Sequence, residues 1–182
     1  MNRFVIAEPS KCIGCRTCEV ACVLAHPIGG EPAEALTPEN FKPRLKVVRN
    51  ATVTAPVQCR QCENAPCVNS CPTEALVYSN GTVQLIAGRC IGCQTCVVAC
   101  PFGAMEMMDV PVKQTELGSP SVRRTVSVAH KCDLCVDRAE GPACVPVCPT
   151  KALILIEQTG LESVSEQRRL QTLARMEAAE NR

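Results

Sequence analysis

Aromatic side chains are scarce in this chain of 182 residues, which has no tryptophan, one tyrosine and three phenylalanines. Large aromatic side chains usually supply much of the area that a core buries. The apolar fraction therefore rests on Ala, Val, Leu, Ile and Cys, although a chain of this length would normally form one or two ordinary domains. This shortage predicts that something other than aromatic packing fills part of the interior.

Other absences exclude whole classes of protein. No run of about 18 apolar residues exists, so no membrane-spanning helix is expected. The apolar stretch from Phe4 to Ala7 is too short for a signal peptide, and Arg123-Arg124 is internal and therefore no twin-arginine export signal. There is no phosphate-binding glycine loop, nucleotide fingerprint or Ser/His/Asp set. The sequence thus predicts a cytoplasmic protein that is not an enzyme by itself and has no catalytic residues.

Cysteine, in contrast, is abundant, and sixteen cysteines form four quartets of similar spacing. The quartets are Cys12, Cys15, Cys18, Cys22; Cys59, Cys62, Cys67, Cys71; Cys90, Cys93, Cys96, Cys100; and Cys132, Cys135, Cys144, Cys148. Three of them end in Cys-Pro, the bacterial ferredoxin pattern in which the fourth thiolate binds the other cluster of a pair. The sixteen thiolates therefore predict four [4Fe-4S] clusters. Gly14 and Gly92 are expected to let the backbone turn closely around a cluster.

Two other uses of cysteine fit the spacing less well. A disulfide framework is typical of secreted chains, and no export signal precedes Cys12. Zinc ribbons use two separated cysteine pairs, whereas all four quartets here end in a Cys-x3-Cys step. The formal charge of +1 counts every thiol as neutral. Because an oxidised cubane with four thiolates carries about −2, the loaded protein would carry roughly −7, which disfavours nucleic acid binding.

Local patterns predict the elements that carry these quartets. We expect a strand from Phe4 to Ala7 and a helix from Thr17 to Ala25, followed by an irregular surface insertion over residues 26–43. Residues 45–57 predict a strand pair or a bent strand. Asn80-Gly81 lies between two apolar stretches and predicts a β-hairpin between the second and third quartets. Met105, Met107 and Met108 predict a strand that packs into the core.

Chain length between the quartets suggests how they pair. The segment from Cys59 to Cys90 is the shortest of the three spacings, so quartets two and three are expected to form an inner module over residues 51–109. Quartets one and four would then form an outer module from residues 1–50 and 110–160. Sequential pairing, one with two and three with four, is the alternative. The predicted fold class is α+β, with two nested bacterial-ferredoxin-like modules of duplicated βαβ cluster-binding units and a C-terminal helix.

Nested pairing predicts a ligand set for each cluster, with the fourth cysteine of each quartet exchanged between partners. The sets are Cys12, Cys15, Cys18 and Cys148 for cluster 1; Cys59, Cys62, Cys67 and Cys100 for cluster 2; Cys90, Cys93, Cys96 and Cys71 for cluster 3; and Cys132, Cys135, Cys144 and Cys22 for cluster 4.

Several of these motifs resemble a known family. They are Cys62-Glu63-Asn64-Ala65-Pro66-Cys67, Lys131-Cys132-Asp133-Leu134-Cys135, Gly141-Pro142-Ala143-Cys144 and Cys148-Pro149-Thr150. They resemble the four-cluster [4Fe-4S] electron-transfer subunits of molybdopterin oxidoreductases. The N-terminal stretch through Cys22 is most similar to HydN-type proteins linked to formate dehydrogenase H and formate hydrogenlyase. The resemblance implies nested pairing, a nearly linear row of clusters, and a cytoplasmic partner containing molybdenum or tungsten.

The predicted function is therefore electron transfer. Single electrons would pass between a formate dehydrogenase catalytic subunit and a hydrogenase or another acceptor. A freely diffusing polyferredoxin and a formate dehydrogenase assembly or maturation factor, whose clusters would be structural, are the alternatives. No nucleic acid partner is expected.

Charged residues beside the quartets have two interpretations. Lys11, Arg89 and Lys131 each precede a first cysteine, where a cation would raise the potential of the nearby cluster. Alternatively, each is a solvated surface charge. His26 and His130 are expected to be ordinary surface histidines.

A helical arm is predicted over residues 161–182. Ser163 and Glu166 resemble a capping box, and an interrupted apolar face follows. That face consists of Leu161, Val164, Leu170, Leu173 and Met176. The arm would anchor a partner or a second copy, or fold back on its own domain.

Overall fold

The computed structural model describes residues 2–28, 35–114, 122–157 and 160–180. In these residues eight strands and four helices follow one another, with single 3₁₀ turns at Pro9–Lys11 and Ala87–Arg89. The order is β1 (Phe4–Ala7), α1 (Thr17–Ala25), β2 (Leu45–Arg49), β3 (Thr54–Gln58), α2 (Pro66–Asn69), β4 (Leu76–Ser79), β5 (Thr82–Leu85), α3 (Thr95–Ala99), β6 (Glu106–Gln114), β7 (Val122–His130), β8 (Leu153–Ile156) and α4 (Leu161–Glu180).

The strands form four antiparallel pairs. Three are hairpins between neighbours in sequence, β2–β3, β4–β5 and β6–β7. The fourth joins the two ends of the cysteine-bearing region, because β1 pairs with β8 with Val5 opposite Leu155. This long-range pairing places the loop of quartet one next to the segment that follows quartet four.

Most expected elements are confirmed. The strand Phe4–Ala7 and the helix Thr17–Ala25 are present with the expected bounds, and the hairpin turn has positive φ at both Asn80 and Gly81. Such turns match the twist of the flanking strands. Residues 45–57 form a strand pair, so the bent strand is the wrong alternative. The insertion has no strand between residues 35 and 43, and its residues 29–34 lie outside the described residues.

Two apolar cores are present, and each combines cysteines from two quartets. The first contains Val5, Cys18, Cys22, Leu45, Leu134, Cys144 and Leu153. The second contains Ala65, Cys67, Leu76, Val83, Cys96, Met105 and Ala129, with Met107 packed against it. Core packing is thus confirmed for Met105 and Met107, whereas Met108 belongs to neither core. Quartets one and four share the first core, and quartets two and three share the second.

Two features differ in detail from the expectation. The β6–β7 hairpin crosses the predicted module boundary at residue 109, and Ala129 of β7 belongs to the second core. The helix α4 begins at Leu161, so the predicted capping box is wrong. Ser163 lies inside the first turn, and its hydroxyl donates to the Gly160 carbonyl at 2.8 Å. Hydroxyls of serine commonly bond to a nearby backbone carbonyl in this way.

Candidate iron–sulfur centres

Two of the cysteine loops repeat one backbone geometry. In quartet one, Gly14 (φ +73°) and Arg16 (φ +62°) have left-handed conformations, and Gly92 (φ +72°) and Gln94 (φ +63°) repeat them in quartet three. These turns direct the loop around the space between its cysteines. At Gly92 an added Cβ would lie 2.7 Å from the carbonyl oxygen of Ser127 in β7. Glycine is therefore needed there for close approach as well as for conformation.

The clearest candidate centre is a cavity between quartets one and four. Its lining includes all of Cys12, Cys15, Cys18 and Cys148, together with Gly14. Cys15 and Cys148 also lie within electrostatic range of each other. The β1–β8 pairing accounts for this meeting, because it holds both chain segments on one side of the first core.

The other three fourth cysteines also lie near the loop of a different quartet. Cys100 is within electrostatic range of Cys62 and Cys67. Cys71 is within range of Cys93 and Cys96. Cys22 interacts in the same way with Cys132, Cys135 and Cys144. The structure thus brings the predicted site residues together across the quartets, and the assignment of each thiolate to a cluster stays a prediction.

Burial keeps several of these thiols neutral unless iron binds them. Burial raises the pKa of Cys18, Cys22 and Cys67 to about 11 and that of Cys132 to about 12. The pKa of Cys144 is also raised by burial. An unpaired thiolate is unfavourable in such surroundings, and coordination to iron supplies the positive charge that compensates it. A donor set of sulfur alone fits an iron–sulfur cluster.

Backbone amides point at the sulfur atoms. The N–H of Ala75 donates to Cys71 Sγ at 3.3 Å, and that of Ala152 donates to Cys148 Sγ at 3.2 Å. These two Cys-Pro-Thr turns therefore repeat each other. The N–H of Arg44 donates to Cys22 Sγ at 3.2 Å and that of Ala129 to Cys90 Sγ at 3.4 Å. Hydrogen bonds to cluster sulfurs stabilise the added electron.

The three cations beside first cysteines have different surroundings. Lys11 is half exposed, and its Nζ lies 2.8 Å from the Glu8 carboxylate. Arg89 is exposed. Lys131 is only 4 % exposed and donates to the carbonyls of Val83 and Cys132. The surface-charge interpretation therefore describes Lys11 and Arg89 and is wrong for Lys131.

The surface assignment of both histidines is also wrong. His26 Nε2 lies 3.3 Å from Cys135 Sγ and 3.3 Å from Asp133 Oδ1. His130 is buried, with Nε2 3.1 Å from the Lys42 carbonyl. Burial lowers the pKa of both rings, because a charged imidazolium loses its hydration there. The donor atoms of His26, Asp133 and Cys135 lie within 4.8 Å of one another.

Sequence reasoning also missed the polar residues around quartet four. Burial disfavours the charged form of Asp133, but the positive charges of Arg44 and His26 lower its pKa below the usual value. Arg44 forms an ion pair with Asp133. These residues come from three separate segments, so no spacing in the sequence indicates that they meet.

A buried glutamine connects quartet two to quartet four. Gln61, between two cysteines of quartet two, is only 1 % exposed. Its Nε2 donates to the Cys132 carbonyl and its Oε1 accepts from the Val83 N–H, each at 2.8 Å. Cys132 is also within electrostatic range of Cys59. Quartets two and four therefore adjoin each other.

The cysteines of different quartets differ in exposure to solvent. Cys15 of quartet one and Cys93 of quartet three are exposed, whereas Cys132, Cys135 and Cys144 are buried. Among the residues that the structure describes, no helix is both long and apolar enough to cross a membrane.

Comparison with known proteins identifies the cofactor class. Two models of 4Fe-4S dicluster domains match the chain, one over residues 51–158 and one over residues 11–81. Two dicluster domains imply four clusters, and sixteen cysteines are the number that four cubanes require. The cofactors are therefore [4Fe-4S] clusters, as the cysteine spacing predicts.

Full-length relatives agree with the domain matches. The Electron transport protein HydN of Escherichia coli (strain K12) is 50% identical, over 94% of this chain and 98% of that protein. The Putative electron transport protein YsaA of the same strain is 48% identical, over 84% and 88% of the two chains. Formate hydrogenlyase subunit 2 of that strain is 39% identical, over 93% and 89%. The chain belongs to the family of HydN-like electron transport proteins, which carry [4Fe-4S] clusters in ferredoxin-type dicluster domains.

Proposed function

We propose that the chain relays single electrons between a cytoplasmic formate dehydrogenase catalytic subunit, containing molybdenum or tungsten, and a hydrogenase or another acceptor. The similarity to Formate hydrogenlyase subunit 2 and to an electron transport protein over nearly the whole chain supports this role. The clusters supply the one-electron chemistry when bound. The residues of this chain hold them, shield them from water and set which of them a partner can approach.

The proposed ligand sets are the nested ones. Cluster 1 is held by Cys12, Cys15, Cys18 and Cys148, cluster 2 by Cys59, Cys62, Cys67 and Cys100, cluster 3 by Cys90, Cys93, Cys96 and Cys71, and cluster 4 by Cys132, Cys135, Cys144 and Cys22. The shared cavity around Cys148 and the shared cores of partner quartets support this assignment.

The exposure of Cys15 and Cys93 is the main observation in support of the proposed relay. Clusters 1 and 4 share the first core, clusters 2 and 3 share the second, and the Gln61–Cys132 contact joins cluster 4 to cluster 2. The proposed order is therefore 1, 4, 2, 3, with an exposed cysteine at each end. A row with an exposed ligand at each end and none in the middle suits transfer between two partners.

Rapid mixing tests the relay. The anaerobically purified protein is mixed with the formate dehydrogenase catalytic subunit and formate, and the visible absorbance of the clusters is followed. We expect bleaching faster than turnover of the catalytic subunit, and none when formate is omitted. Bleaching slower than turnover would remove the electron-transfer role and favour an assembly factor with structural clusters.

Gel filtration of native extract distinguishes a subunit from a diffusible carrier. We expect the chain to migrate with the catalytic subunit. A chain that migrates alone yet passes the mixing test would be a freely diffusing polyferredoxin.

A further inference from the structure

Lys131 is a buried cation at the junction of the two cores. Its side chain is 4 % exposed, and its Nζ donates to the Cys132 carbonyl at 2.6 Å and to the Val83 carbonyl. Cys132 belongs to quartet four. Val83 belongs to the second core, in which it packs with Cys67 of quartet two. The ammonium group thus bridges backbone that belongs to both modules.

In the described part of the chain the charge of Lys131 is buried without a carboxylate partner, because none of the salt bridges there includes Lys131. Burying a charge without a partner is costly, so buried cations are normally paired with an anion. Cys67 and Cys132 both lie within electrostatic range of Lys131, and each would be an anionic thiolate once it binds a cluster. Bound clusters at these two sites would supply the negative charge that compensates this lysine.

We infer that the buried ammonium of Lys131 sets the reduction potentials of the two clusters that meet at the junction, those proposed for Cys67 and Cys132. The inference rests on the proposed ligand sets. Accepting one electron makes a [4Fe-4S] site more negative by one charge, and no proton is required. A nearby fixed cation stabilises that reduced form more than the oxidised form, so it raises the potential.

Lys131 differs from Lys11 and Arg89 in burial, and for this reason we expect only Lys131 to change a cluster potential. Lys11 and Arg89 occupy the same position relative to a first cysteine, but both face solvent and Lys11 is paired with Glu8. Water and salt screen exposed charges, whereas a buried charge acts at a much lower effective dielectric. Because one charge would raise the potentials of both middle clusters, the two potentials would stay close together. An electron could then pass between the modules without a large change in free energy.

The test is a redox titration of the anaerobically purified holo-protein, followed by electron paramagnetic resonance. The signals of clusters 2 and 4 are assigned with separate Cys67→Ser and Cys132→Ser variants. In Lys131→Gln we expect the equilibrium constant for one-electron reduction of each of these two clusters to fall by about tenfold. The reduction potential of each would then be lower by about 59 mV. The potentials of clusters 1 and 3 should stay unchanged.

Matched variants separate charge from structure. Lys11→Gln and Arg89→Gln remove cations at the equivalent position and should leave all four potentials unchanged. Lys131→Arg keeps the charge and should restore most of the lost potential. Unchanged middle potentials in Lys131→Gln, or an equal shift of all four clusters, would overturn the inference.

A second measurement needs no substitution, in case Lys131→Gln does not assemble its clusters. In the unsubstituted protein, rising potassium chloride should shift the potentials of clusters 1 and 3 more than those of clusters 2 and 4. Clusters 1 and 3 each have an exposed ligand, whereas Lys131, which acts on clusters 2 and 4, is buried and is therefore screened less. Equal shifts would contradict the inference. Iron content is measured in every sample. Fewer than four clusters in the unsubstituted protein would refute the proposed function, whereas four clusters with unaffected potentials would refute only the role of Lys131.

Discussion

Cysteines of similar quartets have very different surroundings. Cys15 and Cys93 occupy the same place in their loops, and both are exposed, with a threonine hydroxyl 3.4 Å from each sulfur. Cys132 and Cys144 are buried, and burial raises the pKa of each thiol. Exposed loops leave a cluster accessible, while buried loops isolate it. In the proposed relay, the end clusters would therefore differ from the middle clusters in having an exposed ligand, and not in the kind of ligand.

The partner of Cys148 can be tested by substitution. Because Cys148 lines one cavity with Cys12, Cys15 and Cys18, Cys148→Ala should damage the same centre as Cys12→Ala. The cluster held by Cys132, Cys135 and Cys144 should be retained in both variants. Iron content and electron paramagnetic resonance of each purified variant provide the measurement, and loss of two different centres would support sequential pairing instead.

Gly92 offers a test of close packing. Gly92→Ala places a methyl group 2.7 Å from the Ser127 carbonyl oxygen, in addition to the strain of a left-handed alanine. Gly141→Ala is the matched control, since Gly141 has φ +75° and no atom within 4 Å of an added Cβ. The control should cost about 1–2 kcal/mol of stability. Gly92→Ala should cost more and should lower the temperature at which cluster absorbance is lost. Equal losses in the two variants would show that β7 moves aside freely.

Two secondary-structure pairings organise the elements into modules. The β1–β8 pair closes the first core around quartets one and four, and the β6–β7 hairpin covers the loop of quartet three through Ser127 and Ala129.

The helix α4 packs only partly against the rest of the molecule. Its Val164 and Arg168 line a cleft against β1 and β8, while Leu170, Leu173 and Met176 are 55–61% exposed. An exposed apolar face of this kind is typical of an interaction site.

Deleting residues 161–182 tests the arm. None of the described core residues lies in α4, so iron content should stay at about sixteen atoms per chain. Co-purification with the formate dehydrogenase catalytic subunit should weaken, because the apolar face is lost. Leu170→Glu combined with Leu173→Glu should have the same effect, and Gln171→Glu on the same helix serves as the control. Lost iron would show that the helix is part of the fold, and undiminished complex formation would show that it is no anchor.

At the scale of the whole molecule, we expect the bound clusters to form part of the core. Cysteines belong to both apolar cores, and large aromatic side chains belong to neither. Metal binding that requires the fold contributes directly to folding free energy. In the proposed ligand sets, the exchange of fourth cysteines would also hold the paired quartets together. The bound iron should therefore account for most of the stability of the protein.

Removing iron tests this dependence. Chelation under reducing conditions should abolish most of the far-ultraviolet circular dichroism, with unfolding of both modules. The loss should be faster at lower pH, because protons compete with iron for thiolates and the buried thiols have raised pKa values. Retained circular dichroism in the iron-free chain would show that the apolar cores suffice by themselves.

The sequence by itself determined the chemistry of this protein and much of its local structure. Ligand type and spacing follow from cysteine positions alone, since a cubane requires thiolates at fixed intervals along a loop. The helix Thr17–Ala25, the hairpin at Asn80-Gly81 and the turns at Gly14 and Gly92 are also predicted from residues close in sequence. Such features are visible in one segment of chain.

Only the tertiary structure decided which side chains are buried and which distant segments of the chain are in contact. Lys11 and Lys131 look equivalent in sequence, yet one is half exposed with a carboxylate partner and the other is buried at a junction. The histidines were placed wrongly for the same reason, because His26 is covered by Asp133 and Cys135 from a segment more than a hundred residues away. The charge that a cluster experiences depends on distance and dielectric in three dimensions, and neither is encoded in the spacing of a motif.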